Sequence, residues 1–79
     1  MTGPSKVQRY NDIVGQACAI EKQANVSERK AYWLHAAKIW GTALDVATTG
    51  ITNDSWKNKI EWCSVRQAFC ERAARRAMA

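Results

Sequence analysis

The sequence NKIEWCSVRQAFCER, residues 58–72, decides the fold of this chain more than any other stretch. At about 100° per residue on an α-helix, Asn58, Trp62, Arg66 and Phe69 fall within about 80° of one another. We therefore expect these four side chains to form one ridge along a helix. A second stripe, roughly a quarter to a third of a turn away, consists of Trp56, Ile60, Cys63, Gln67, Cys70 and Ala74. A helix with two such stripes can bury one in its own subunit and keep the other for a second protein.

The remainder of the chain is also predicted to be helical. A first helix is expected over about residues 5–24, because Ser5 and Gln8 have capping-box spacing and apolar residues then recur at a helical period. A second is expected over about residues 26–48, after a cap-like segment at residues 25–28 and before Gly50, a residue suited to a left-handed helix end. A third is expected over about residues 55–77. Short links favour antiparallel neighbours, so we predict an all-α, three-helix protein built on an antiparallel hairpin, with a flexible N-terminus at 1–4 and one helical domain over 5–79.

The second predicted helix carries two apolar stripes of its own. One contains Trp33, Ala37, Trp40, Leu44 and Ala47, and the other, about 100° away, contains Tyr32, Ile39 and Val46. This is more apolar surface than packing on one side requires, so we expect a homo-oligomer whose copies cover it. The residues predicted for the core or for self-association are Trp33, Ala37, Trp40, Leu44, Trp56, Ile60, Cys63 and Cys70. Gly15 and Gly41 lie inside predicted helices, which indicates close helix approach at both positions.

Composition and length restrict the class of protein. A chain of 79 residues forms one small domain that buries only about 60% of its unfolded surface. A zinc site would require Cys18, His35, Cys63 and Cys70 to converge, and no Cys-x-x-Cys spacing supports this, so we expect no metal and no cofactor. Scattered cysteines are typical of a reducing cytosol. No signal peptide and no apolar stretch of about 20 residues occurs, so we expect a cytoplasmic protein without a membrane segment.

The net charge of +5 is concentrated after residue 56. The candidate DNA-contacting residues are Lys57, Lys59, Arg72, Arg75 and Arg76. They can attract DNA phosphates, or they can be cations that the helix macrodipole favours near a C-terminus; both interpretations stay open. No paired carboxylates, Gly-rich phosphate loop or nucleophile with an adjacent base is present, so we predict that the chain is not an enzyme.

The ridge on the third helix resembles a known family signature. The motif Asn58-x3-Trp62-x3-Arg66-x2-Phe69-Cys70, followed by basic residues, is similar to the C-terminal motif of the ANR family, the AraC negative regulators. The resemblance implies a protein that binds an AraC/XylS-type transcription activator and blocks its dimerisation or DNA binding.

The upstream part of the chain adds to this resemblance. Glu21, the break near Asn25 and the segment Trp33-x2-Ala36-Ala37-x2-Trp40 resemble the helical hairpin of that family. The likeness covers roughly residues 10–76, but only the Trp-Arg-Phe-Cys part is specific, because the hairpin part also resembles half of a tetratricopeptide-type helix pair.

Three functions remain open at this point. The first is a protein-binding antagonist that uses Asn58, Trp62, Arg66 and Phe69 as its partner-binding residues. The others are a small basic protein that binds DNA directly and a self-assembling helical scaffold. Large aromatic side chains dominate both cores and interface hot spots, so burial is the alternative for Trp62 and Phe69. For Arg66 the alternative is a salt bridge to Glu61, Asp54 or a neighbouring subunit.

Overall fold

The computed structural model describes residues 5–50 and 53–77. It contains three α-helices: α1 (Lys6–Ser27), α2 (Lys30–Thr48) and α3 (Asp54–Arg76). Within these two ranges there is no β-strand, so the predicted all-α fold is confirmed. The predicted flexible segment, residues 1–4, lies outside the described residues.

Helix α1 begins as the sequence predicted and ends later. The Ser5 Oγ accepts a hydrogen bond from the Gln8 backbone N–H at 3.2 Å, and the Ser5 N–H donates to Gln8 Oε1 at 3.1 Å. At the other end, the chain turns left-handed only at Glu28 (φ 55°). The Ser27 Oγ donates to the carbonyl of Gln23 at 2.8 Å. Ser27 is therefore the last residue of α1, and the predicted end near residue 24 is three residues too early.

Helix α2 lacks the side-chain cap that the sequence indicated. Its N-cap residue is Arg29, which makes no capping hydrogen bond through its side chain. The predicted cap at residues 25–28 was wrong because α1 occupies that segment through Ser27. Helix α3, in contrast, is capped by Asn53, whose Oδ1 accepts from the Trp56 N–H at 3.1 Å. Gly50, after the end of α2, is left-handed (φ 78°), as predicted.

Helices α1 and α2 form an antiparallel hairpin. The Lys6 Nζ, at the start of α1, donates to the carbonyl of Thr49 at the end of α2 at 2.7 Å. Further along α1, the Glu21 carboxylate accepts from the Trp40 indole. Contacts that run in opposite directions along the two helices are those of antiparallel neighbours.

Helix α3 returns along the other side of α2, again antiparallel to it. The Trp40 ring contacts Trp62, and the Trp33 ring, earlier in α2, contacts Phe69, later in α3. The backbones of α1 and α3 both approach α2 closely, whereas α1 and α3 meet each other mainly through side chains. The Cα atoms extend over 44 × 26 × 13 Å, so the helices form a shallow layer with α2 in the middle.

The core contains many small side chains and a few large ones. Its buried residues are Tyr10, Ala17, Ala24, Trp33, Ala36, Ala37, Trp40, Ala43, Val46, Ala47, Cys63, Cys70 and Ala74. Alanine allows the helices to approach closely, while the fully buried Trp40 fills the centre of the layer.

Both apolar stripes of α2 are used within the chain. Tyr32, Ile39 and Val46 are buried or half-buried against the same core as Trp33 and Trp40. The reason is that α2 packs on two sides, against α1 and against α3. The second stripe therefore does not require another copy of the chain to cover it, and homo-oligomerisation stays a prediction.

The two helical glycines differ in their surroundings. A Cβ added at Gly41 would lie 2.7 Å from the Gln67 Nε2, so the end of a side chain from α3 occupies the space beside Gly41. A Cβ added at Gly15 would meet no atom within 4 Å. The prediction of a close approach at Gly15 was wrong.

This difference predicts the effect of two alanine substitutions. Gly15→Ala should raise the free energy of unfolding by about 1 kcal/mol, because alanine favours the helix and the new methyl group meets open space. Gly41→Ala should gain less, since the Gln67 amide must move. Urea unfolding followed by far-UV circular dichroism measures both. A loss of stability in Gly15→Ala would mean that another surface packs on this face of α1.

Candidate functional site

Two half-exposed aromatic side chains of α3 stand on buried tryptophans of α2. The Trp62 ring meets Trp40 edge to face, with centroids 4.9 Å apart and an interplanar angle of 82°. The Phe69 ring meets Trp33 in the same manner, with centroids 5.9 Å apart and an angle of 72°. Trp62 is 44% exposed and Phe69 42%, whereas Trp40 is completely buried. Each exposed ring is therefore held in position by a buried indole and also faces solvent.

The Glu21 carboxylate connects all three helices beside these rings. Its Oε2 accepts a hydrogen bond from the Trp40 Nε1 at 2.8 Å. Its Oε1 forms an ion pair with the Arg66 guanidinium of α3. The side chains of Glu21 and Arg66 are 13% and 31% exposed, respectively. Arg66 thus pairs with α1 and not with the residues that the sequence suggested, Glu61 and Asp54.

Arg66 also completes the ridge. The centre of its guanidinium lies 4.4 Å from the centroid of the Phe69 ring, which is a cation–π distance. Because one side of the guanidinium is held by Glu21, the Arg66 side chain has less conformational freedom than a fully solvated arginine. The structure therefore brings Trp62, Arg66 and Phe69 together in one surface, which we call the aromatic–cationic ridge.

Asn58, the fourth predicted member, lies at the exposed N-terminal end of this row. Among the described residues its side chain has no hydrogen-bond partner. The structure adds residues that the sequence did not place in the site. Glu21 was noted only as part of the hairpin resemblance, and Trp33 and Trp40 were assigned only to the core or to self-association. No local pattern identifies Glu21, because its partner Arg66 lies 45 positions further along the chain.

The predicted core residues all lie in the interior or at its border. Trp33, Ala37, Trp40, Cys63 and Cys70 are buried, and Leu44, Trp56 and Ile60 are half-buried against them.

A second cluster joins α1 and α3 near their N-terminal ends. The Tyr10 and Trp56 rings meet edge to face with centroids 5.3 Å apart. The Tyr10 hydroxyl and the Cys63 Sγ are within hydrogen-bond distance at 3.4 Å. The ammonium groups of Lys6 and Lys59 lie 4.2 and 5.4 Å from the centroid of the Trp56 ring. Tyr10 and Cys63 are buried in this cluster, whereas Lys6, Trp56 and Lys59 are partly exposed.

The buried thiols are poor nucleophiles. Burial raises the pKa of Cys70 to about 11, and the nearby Glu21 carboxylate adds to the effect. Burial also raises the pKa of Cys63 above its ordinary value, although its hydrogen bond with Tyr10 acts in the opposite direction. Both thiols therefore stay protonated at neutral pH. Within residues 5–50 and 53–77, no group of three or more His, Cys, Asp or Glu side chains has an arrangement that could hold a metal ion.

The predicted DNA-contacting residues lie near the two ends of α3. Lys57 pairs with Asp54 at 3.8 Å, and the Lys59 Nζ donates to Ser55 Oγ at 3.2 Å, both near the start of α3. The arginines Arg72, Arg75 and Arg76 are exposed near its end.

A groove of about 810 Å³ opens between the α1–α2 turn and the last turns of α3. It is lined by Asn25, Ser27, Glu28, Arg29, Trp33, Phe69, Arg72, Ala73, Arg76 and Ala77. Because Phe69 belongs to both, the groove is continuous with the aromatic–cationic ridge.

No protein-family model matches this chain, and no curated protein or solved structure is significantly similar to it. Of the helices in the described ranges, none combines the length and the apolar character that crossing a membrane requires.

The position of Glu21 predicts a strong effect of removing it. Glu21→Ala should lower the free energy of unfolding by about 2–3 kcal/mol, because it leaves a buried indole N–H without an acceptor and Arg66 without its counter-charge. Glu21→Gln should cost less, since the amide oxygen can still accept from Trp40. Urea unfolding followed by tryptophan fluorescence measures both. The control is Glu71→Ala, an exposed glutamate whose loss should change stability by less than about 0.5 kcal/mol. Equal effects of Glu21→Ala and Glu71→Ala would contradict the shared-carboxylate arrangement.

The burial of two thiols predicts their reactivity. In the folded protein an aromatic disulfide reagent should modify the exposed Cys18 quickly and the buried Cys63 and Cys70 slowly. In denaturant all three should react at similar rates. The time course of absorbance on reagent addition measures this, and Cys18→Ser should remove the fast phase. Two or three fast thiols in the native protein would show that the α2–α3 packing opens readily.

Proposed function

We propose that this protein is a negative regulator of transcription that binds an AraC/XylS-type activator and blocks its dimerisation or its binding to DNA. We also propose that the protein acts in the cytoplasm, and that it acts by binding and not by catalysis. It rests on the motif resemblance of residues 58–70, and the observation that supports it best is the aromatic–cationic ridge.

The ridge has the composition of an interface hot spot. Tryptophan and arginine are the residue types that most often dominate binding energy, and they do so when they are supported by well-packed neighbours. Trp62 and Phe69 expose close to half of their surface, while their other sides rest on Trp40 and Trp33. What distinguishes these rings from the other exposed apolar side chains of the chain is that they are supported from below and lie beside a cation. A partner that covers them gains apolar burial at a small entropic cost.

The ridge also fits a specific way of binding. Its three members lie along one face of α3 at helical spacing, so they present a linear row that a groove in another protein can accept. Arg66, which is already paired with Glu21, contributes a planar, partly exposed cation to the row. Blocking an activator by this route requires only that the ridge occupies a surface that the activator needs for its second copy or for DNA.

Direct binding to DNA is the second candidate function. The exposed arginines near the end of α3 favour it, but Lys57 and Lys59 contact other side chains at the far end of the same helix. A self-assembling scaffold is the third candidate, with the ridge covered by another copy of the chain.

The proposal predicts which substitutions abolish inhibition. In a titration of a labelled promoter fragment with an AraC-type activator, the fluorescence anisotropy should fall when this protein is added, because the activator leaves the DNA. Trp62→Ala or Phe69→Ala should raise the concentration required by about tenfold or more, since truncating a hot-spot residue costs about 2 kcal/mol or more. Circular dichroism verifies that each variant is folded.

The matched control is Leu34→Ala. Leu34 is 50% exposed on α2, so this change removes a similar half-exposed apolar side chain from a different surface and should leave inhibition intact. Folded Trp62 and Phe69 variants that inhibit normally would exclude the ridge as the contact. An anisotropy increase caused by this protein alone, with a steep salt dependence, would favour direct DNA binding. Self-association that is detected by light scattering and is lost in Trp62→Ala would favour the scaffold.

A further inference from the structure

The groove at the end of the ridge combines an apolar wall with several cations. Trp33 and Phe69 supply aromatic surface and Ala73 a small side chain, so the wall has room for an inserted apolar group. The Phe69 ring, at 42% exposure, is the part of this wall that an incoming side chain can reach most easily. At about 810 Å³ the groove accommodates a few side chains of a partner and not a whole domain.

The charge around the groove is predominantly positive. Arg29, Arg72 and Arg76 line it, and none of these three makes an ion pair with another described residue, whereas Glu28 is the single acidic side chain in the lining. Arg72 and Arg76 are four residues apart on α3, so their side chains lie on the same side of the helix. Helix α2 also begins here without a side-chain cap. The electrostatic complement of this surface is a small number of carboxylates.

We infer that this groove binds an acidic segment of a partner protein, with one large apolar side chain against Phe69 and carboxylates paired with Arg72 and Arg76. This inference rests on the proposed function. It adds the chemistry of the activator segment that the groove binds. Arginine pairs with a carboxylate through two parallel hydrogen bonds, which gives orientation as well as attraction. Phe69 belongs both to the groove and to the aromatic–cationic ridge, so the ridge extends the same contact surface.

A protein segment explains the groove better than a nucleic acid does. A phosphate backbone offers no apolar group for the surface formed by Phe69 and Trp33, whereas an amphipathic acidic segment offers both apolar and negatively charged groups.

The test uses the full chain, isotope-labelled for NMR, and a synthetic helical peptide with glutamates on one face and leucines on the other. Amide resonances of the groove residues should shift on titration. The double variant Arg72→Glu/Arg76→Glu should lower the peptide affinity by about tenfold or more, because two charge-assisted contacts become repulsive. Arg72→Glu alone and Arg75→Glu form the matched pair, because each makes one Arg→Glu change near the end of α3. Arg75 lies outside the groove lining, so Arg75→Glu should bind nearly as the wild type does, whereas Arg72→Glu should bind more weakly.

Two further ligands identify what the groove recognises. The same peptide with every leucine replaced by serine should bind much more weakly. Equal binding would show that the groove acts only as a non-specific cationic surface, which would contradict the inference. Duplex DNA that shifts the same resonances at lower concentration than the peptide would overturn the inference in favour of a nucleic acid. Absence of peptide binding, or normal binding by the double variant, would overturn it directly.

The activator titration separates this inference from the proposed function. If the double variant still removes the activator from DNA as the wild type does, the groove is not the contact but the proposed function stands. If the wild-type protein leaves the activator on DNA but binds the acidic peptide in the groove, the proposed function is wrong. The inference that the groove binds an acidic segment then still stands.

Discussion

The fold depends on one carboxylate that two other helices share. Glu21 of α1 accepts from the buried indole of Trp40 in α2 and pairs with Arg66 in α3. The backbones of α1 and α3 have little direct contact, so this side chain is a main link across the open side of the layer. Glu21 accepts the hydrogen bond that the buried Trp40 indole N–H needs, and it also holds the Arg66 guanidinium beside the Phe69 ring. The stability of the domain and the shape of its exposed ridge therefore depend on the same group.

Local patterns predicted most of the secondary structure. The capping box at Ser5, the left-handed Gly50 and the two faces of α3 all depend on residues within one or two turns of each other, and these predictions were correct. The start of α2 was wrong because Ser27 can either cap a new helix or bond back to the Gln23 carbonyl, and the second option extends α1. Which option a serine takes depends on packing that the local sequence does not encode.

The site was predictable only in part, for a related reason. Helical spacing places Trp62, Arg66 and Phe69 on one ridge, but it does not indicate what lies beneath them or which acid pairs with Arg66. Both answers come from contacts between distant parts of the chain, with Trp33 and Trp40 below the rings and Glu21 beside the guanidinium. The second stripe of α2 illustrates the same limit, because two-sided packing within one chain and burial between two copies produce the same periodicity. Sequence periodicity reports how much apolar surface is covered and not which element covers it.

The central position of α2 also has a consequence for how the chain reaches this structure. Each outer helix packs on the helix that precedes or follows it in sequence, so most contacts between helices join consecutive helices. All-helical topologies of this kind tend to fold rapidly. Either hairpin, α1–α2 or α2–α3, can form first and offer α2 as a template for the remaining helix. We expect the Glu21–Arg66 and Tyr10–Trp56 contacts, which join α1 to α3, to form only when the third helix packs on α2. The arrangement therefore allows two folding routes that converge on the joining of α1 and α3.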